Sequence, residues 1–162
     1  MLKRILSLFI LAVLSVSLCG CSDVSEFTCA ELTVSLPDGY TERERPEGAN
    51  MLLSDGTSTV TLRRTSLADA HKAGIPSGYS AFDFAELFLE MSEVEGELLD
   101  YHSTPYYTYY VTKDGVRLFC LASFFRTPYA YFIIVFATRA ELEEEGREVY
   151  FSAIDSVTFK IL

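Results

Sequence analysis

In "LTVSLP" Leu32, Val34 and Leu36 alternate with polar neighbours, the period of a strand with one buried face. Pro37-Asp38-Gly39 ends that run, because proline presets φ and glycine permits positive φ. The segment "FTCAELTVSLPDGYTERE" therefore reads as strand, turn, strand. In "NMLLSDGTSTVTLRR" Val60 and Leu62 alternate in the same way, and Asp55-Gly56 is a hairpin signal. Between Ser66 and Tyr79 the breakers Gly74, Pro76 and Gly78 predict a loop with no more than one helical turn. The period then changes. In "SAFDFAELFLEMSEV" Phe84, Phe88 and Met91 share one helical face, and Phe82, Ala85 and Leu89 fall beside it. Ser80, with Asp83 three residues on, suits a helix cap. A helix this apolar is expected to lie against a sheet.

Strand patterns resume in the aromatic run that follows. Pro105 reads as the start of a strand, Lys113-Asp114-Gly115 marks a tight hairpin, and Thr127-Pro128 marks a second turn. The unbroken apolar run Tyr131 to Phe136 predicts a strand covered on both faces, at the centre of a sheet. Thr138-x-x-Glu141 has capping-box spacing and predicts the start of a second helix there. Its inner stripe is expected to be Leu142, Gly146, Val149 and Ala153, with Tyr150 and Ile154 at the edge and Glu143, Glu144, Glu145 and Glu148 in water. "SVTFKIL" reads as a short closing strand or an extended tail. The order strands, helix, strands, helix predicts an α+β sandwich, an antiparallel sheet flanked by helices, in one domain over residues 29–162.

Four stretches, "LTVSLPDGYTE", "DGVRLFCLASFF", "YFIIVFATRAELEE" and "YFSAIDSVTFK", resemble small lipoproteins with a PsbP-like fold, from about Phe27 to Lys160. That fold is shared by the PsbP protein of photosystem II and a Ran-binding nuclear import factor. The resemblance implies a PsbP-like α/β/α sandwich and a binding or assembly role. It brings no catalytic residue with it.

The opening of the chain carries a different message. Met1-Leu2-Lys3-Arg4 is a short basic region, and Ile5 to Leu18 has no charge and only three serines. This is signal-peptide layout, and the run is short for a spanning helix. Leu18-Cys19-Gly20-Cys21 resembles the lipobox of bacterial lipoproteins, so residues 1–20 read as a signal peptide and Cys21 as the lipidated residue, joined by a tether over residues 21–28. Chemistry suits the assignment, since the thiolate is the most nucleophilic side chain available for alkylation. The expected location is the outer side of a bacterial cell membrane, held through the anchor at Cys21. Two acyl chains hold a protein there stably, at about 0.8 kcal/mol per buried CH₂.

Loss of Lys3 and Arg4 with the signal takes the formal charge from −10 to −12 and leaves 142 of the 162 residues. Such acidity repels phosphates, so nucleic acid is disfavoured as a partner. Beyond Cys21 there remain Cys29 and Cys120, which outside the cytoplasm either pair as a disulfide or stay as buried free thiols.

Candidate chemistry is sparse. The two histidines, His71 and His102, each have an aspartate two residues before them, Asp69 and Asp100. Zinc needs three or four protein ligands, and Asp100 with His102 on one strand face supplies two, so both histidines read best as surface residues. No G-x-S-x-G, phosphate loop or H-E-x-x-H occurs, and no cofactor is implied. "YYTYY" is the unusual stretch: Tyr106 and Tyr110 share one strand face, Tyr107 and Tyr109 the other. Tyrosine joins area to a polar tip, so an exposed pair makes a binding surface, and a buried pair makes core. The reading that follows is a lipid-anchored, extracytoplasmic binding or assembly module without catalysis, its partner an envelope protein or a cell-wall component. A small-ligand or metal carrier using the sheet–helix groove is the alternative, and a hydrolase ranks behind it.

Overall fold

The computed structural model describes residues 23–92 and 94–160. Among these residues ten strands, three α-helices and a 3₁₀ turn build three layers. The middle layer is a seven-stranded sheet in the order β3-β4-β5-β9-β8-β7-β6. Its strands are β3 (Thr41–Glu42), β4 (Met51–Ser54), β5 (Thr59–Ser66), β6 (Leu99–Tyr101), β7 (Thr104–Lys113), β8 (Val116–Arg126) and β9 (Ala130–Arg139). Every pairing is antiparallel. The apolar run read as a central strand is β9, the fourth of the seven.

One face of this sheet is covered by α1 (Leu67–Lys72) and α2 (Ala81–Met91). Ser80 and Asp83 form a reciprocal capping box on α2, which fixes where the helix begins. Phe84 stacks on Tyr131 with ring centroids 4.3 Å apart, and Phe84, Phe88 and Tyr107 surround Phe124. Met91, expected on the buried face, is 77% exposed because the helix ends with it, beyond the aromatic patch. The segment read as a loop with one turn is α1, capped by the Ser66 hydroxyl, which accepts from Asp69 N.

The third layer differs from the expected single helix. It holds α3 (Glu143–Ser156) and a second, three-stranded sheet in the order β1-β2-β10. Here β1 is Val24–Cys29, β2 is Leu32–Pro37 and β10 is Thr158–Phe159, so the closing strand read in "SVTFKIL" is present. Leu32, Val34 and Leu36 from β2 and Tyr150, Ala153 and Ile154 from α3 form one core with Phe119, Leu121, Phe132, Ile134 and Phe136 of the large sheet.

Two boundaries move. The first described strand, β1, lies inside the segment read as a tether, because residues 24–29 pair with β2 over their whole length. Their sequence looks like a tether because β1 is an edge strand with mostly polar, outward side chains. The second boundary concerns Thr138. It caps no helix: β9 runs on to Arg139, and Thr138 Oγ1 accepts from Ser58 Oγ at 3.0 Å inside the sheet. An uncapped 3₁₀ turn, Ala140–Leu142, then leads into α3. The buried stripe of α3 is accordingly rotated, with Gly146, Tyr150, Ala153 and Ile154 at its centre.

The small sheet is tied to the large one by an ion pair. Glu31, in the β1–β2 turn, is only 3% exposed, and Arg64 on β5 donates to both its oxygens, at 2.9 and 3.2 Å. That two-point hydrogen bond holds the Glu31 carboxyl below the usual carboxylate range, against the opposing effect of burial.

Candidate binding surfaces

Strand β7 carries the four candidate tyrosines, and alternation sends them to opposite faces of the large sheet. Tyr107 is buried beneath α2, and its ring meets Phe124 and Tyr109. Tyr109 is half-buried on the same face. Tyr106 is half-buried on the other face, edge-on to Phe151 of α3. Only Tyr110 is exposed. The physical reason lies in the neighbours: with layers on both faces, an inner part of β7 has no open side, and β-rich aromatic sequence becomes core there.

Tyr110 does not stand alone. Its hydroxyl donates to Glu143, which also takes two hydrogen bonds from Arg147 one helical turn on, at 2.7 and 2.9 Å. Glu143 is thus half-buried and paired, where water was expected; Glu144, Glu145 and Glu148 are exposed as read. Arg117 lies over the Tyr110 ring at 4.3 Å, and Arg147 over Phe119 at 4.6 Å. The Tyr110 hydrogen bond holds the Glu143 carboxyl below its ordinary range, and the same bond raises the phenol. The Glu143–Arg147 spacing of four residues is a signal the sequence offers for this cluster.

The outer end of the β7–β8 hairpin brings together three of the large apolar side chains that are exposed among the described residues, Tyr110, Val111 and Val116. Beyond Tyr106, β7 has no strand on its outer edge among the described residues, since β6 pairs only with residues 104–106. Val111 and Val116 are exposed. By register they lie on the α2 side of the sheet, with Tyr109 and Leu118, past the part that α2 covers. The hairpin closes through Asp114 and Gly115, both at positive φ, which suits the strand twist and is easy only for residues of this kind.

The histidine and cysteine candidates do not assemble. Asp100 and His102 do not share a strand face, because His102 and Ser103 form a two-residue turn, with φ of 49° and 66°, between β6 and β7. Asp100 accepts from Ser103 N and stabilises that turn. His102 instead faces Asp155 of α3, with Nδ1 and Oδ1 3.2 Å apart, and its ring stacks on Tyr101, whose hydroxyl donates to the same aspartate. Nothing in the sequence links His102 to a residue on the last helix. His71 lies in the last turn of α1 and is exposed. No group of three or more potential metal ligands occurs among the described residues.

Cys29 and Cys120 are both buried free thiols. Cys29 belongs to the core beneath β2, and Cys120 is the cross-strand neighbour of Tyr109 on the α2 side, so the large sheet separates the two thiols. Burial pushes the Cys120 thiol up to about 11 and raises Cys29 as well, which leaves both unreactive at neutral pH. Cys21 and the signal segment lie outside the described residues. No described helix is long and apolar enough to cross a membrane.

Comparison with known proteins places the fold. No family model matches the chain, and no curated protein matches it. Among solved structures, the cyanobacterial PsbP protein CyanoP of Synechocystis sp. PCC 6803 is similar with a TM-score of 0.57 and 13% identity, over 88% of this chain and 95% of that one. LpqN of Mycobacterium tuberculosis, described as involved in cell envelope biogenesis, matches with a TM-score of 0.50 and 9% identity, over 86% and 91%. A protein from Bacteroides thetaiotaomicron VPI-5482 matches at 0.55 and 10%, over 83% of this chain, which spans about half of that protein's length. The fold is α+β with antiparallel sheets, and it is PsbP-like.

Proposed function

We propose that this chain is a lipid-anchored, extracytoplasmic binding module without catalysis, and that its partner docks on the outer end of the β7–β8 hairpin. The observation that carries the reading is that hairpin end, where an open strand edge adjoins exposed Val111, Val116 and Tyr110. An open edge offers backbone donors and acceptors to a partner strand, and flanking side chains supply contact area. Natural sheets usually blunt such edges, so an edge strand that exposes Val111, beside Val116 of the next strand, suits use as an interface. The role described for LpqN, in the cell envelope, is in keeping with an envelope partner here. The acidic surface turns nucleic acid away.

The anchor belongs to the same reading. Cys21 stands three residues before Val24, a reach of about 11 Å at full extension, so the domain would sit directly on the membrane surface. Replacing Cys21 by serine is expected to abolish labelling with a palmitate analogue and to leave the signal segment uncleaved. Labelled, processed Cys21→Ser protein would overturn the anchor.

The docking face has its own test. A photo-crosslinking residue at Val111, introduced into the chain in intact cells, is expected to give one discrete adduct identifiable by mass spectrometry. The same residue at Glu86, exposed on α2, is expected to give none. Equal adduct patterns from both positions would remove the hairpin end as the interface.

A further inference from the structure

Cross-strand register fixes which ends of the fold lie together. In the large sheet Lys113 is opposite Val116, Leu118 opposite Arg139, Ala137 opposite Thr59, and Ser54 opposite both Thr59 and Thr41. The β7–β8 turn, the β4–β5 turn and the start of β3 therefore share one end of the sheet. The chain that leads from Cys21 enters at this same end. Val24 is paired with Pro37, Asp38 N donates to Asp23 O at 3.0 Å, and Pro37 and Asp38 line a cleft together with Asp55, Ser58 and Thr138. At the opposite end are the His102-Ser103 turn and Arg126, the last residue of β8. Strand β8 runs the whole way between the two ends, a span of about 35 Å.

The free part of the β7 edge is confined to the end where Val24 enters. Strand β6 takes residues 104–106, and Gly96 lies against the Thr108 carbonyl oxygen. Open beyond them is the outermost stretch, Tyr109 to Lys113, next to the turn. A tether of three residues reaches about 11 Å, so this stretch is held near the bilayer and the Arg126 end of β8 is held away from it. The hairpin itself is not built to enter lipid. Its tip is Lys113, Asp114 and Gly115, and the same end exposes Asp38, Asp55, Glu141 and Glu145, which an anionic lipid surface repels.

We infer, resting on the reading of Cys21 as the anchor and of the hairpin end as the interface, that the partner is a protein embedded in the same membrane. It meets the free β7 edge with an extended segment just outside the bilayer. A component held farther out would meet the Arg126 end of the sheet first. The charge of that segment follows from the hairpin. Lys113 and Arg117 are in no ion pair among the described residues, so acidic side chains on the partner segment complement them, beside apolar contact with Val111 and Val116.

The test keeps the photo-crosslinking residue at Val111 and changes the height of the domain. A helical spacer of about 20 residues, inserted between Ser22 and Asp23, lifts the domain by about 30 Å. The lifted chain is checked for palmitate labelling and an unchanged melting temperature. In intact cells its adduct is expected to fall by about tenfold or more, as the edge is carried out of the partner's reach. The partner captured by the chain of natural length is expected to contain a membrane-spanning segment. In vesicles of phosphatidylethanolamine and phosphatidylglycerol that hold only this lipoprotein, the same residue is expected to give no lipid adduct. Energy transfer to an acceptor lipid in those vesicles is expected to be stronger from a dye on Lys113→Cys than from one on Arg126→Cys, Cys29 and Cys120 being buried. An undiminished adduct from the lifted chain, a partner with no membrane-spanning segment, or equal transfer from the two dyes would each overturn the inference and leave the anchor and the interface in place. A lipid adduct in vesicles would make the bilayer the occupant. Absent palmitate labelling of the natural chain, or no adduct from it at Val111, would instead remove the anchor or the interface, and the inference with it.

Discussion

Phe124→Ala is expected to lower the stability of the domain by about 3–5 kcal/mol, the range for truncating a buried phenylalanine. Phe124 is wholly buried and is the ring on which the α2 side of the core converges: Phe84 and Phe88 reach it from the helix, Tyr107 from the next strand. Truncation leaves three aromatic neighbours without their shared partner, and rings cannot collapse into the space as methyl groups can. In urea the midpoint is expected to fall by about 2 M at unchanged slope. Glu144→Ala, on the exposed side of α3, is expected to stay within about 0.5 kcal/mol. A loss below about 1 kcal/mol for Phe124→Ala would mean that α2 is not seated on this sheet as described.

Arg64→Met comes next in size. It leaves Glu31 buried without its counter-ion, and breaking one side of a buried pair costs about 3–5 kcal/mol. The sign of the pH dependence separates this from simple packing. In the native protein the Glu31 carboxyl is held low, so its contribution is complete above about pH 4.3, the ordinary glutamate value, and is lost as pH falls through the lower folded value. In Arg64→Met the largest influence holding the Glu31 carboxyl low is gone, while burial still acts to raise it, so its pKa lies higher than in the native protein and the deficit against the native protein shrinks between pH 7 and pH 4. Urea melts at the two pH values measure the difference. Adding Glu31→Gln to Arg64→Met is expected to recover much of the loss at pH 7. A deficit independent of pH, or no recovery in the double variant, would show that the pair does not bridge the two sheets.

Turns with a chemical signature were legible in the sequence. Asp55-Gly56 and Asp114-Gly115 both connect strands, and glycine is at positive φ in each. The central strand could be read because an apolar run without alternation leaves no polar face. The same logic applied to "LFCLASFF" in β8 bears on its neighbour: a strand covered on both sides implies covered tyrosines beside it, and Tyr107 is buried while Tyr110, farther out, is not. What could not be read rests on residues far apart. The His102-Ser103 turn has neither glycine nor asparagine, and its positive φ values are held by Asp100, by the Tyr101 stack and by Asp155. The packing of Gly146 against Thr138 and Tyr150, which seats α3 on the sheet, depends on residues far apart in the chain meeting at one place. Glu31 looks like an ordinary turn residue until Arg64, on another sheet, is brought to it.

Strand β2 is bordered on one side by β1, its neighbour in sequence, and on the other by β10, from the far end of the domain. A ribosome therefore delivers the two halves of this small sheet at very different times. The β1–β2 hairpin can close early and locally. The opposite edge, at Leu32 and Thr33, has no strand to pair with until Thr158 and Phe159 have been made. Such a long closure is slow, because its entropy must be met before the contact repays it. A chain stopped before Thr158 would keep that edge bare, able to recruit a strand from another unfinished copy. The making of Thr158 and Phe159 is what releases the small sheet from this hazard.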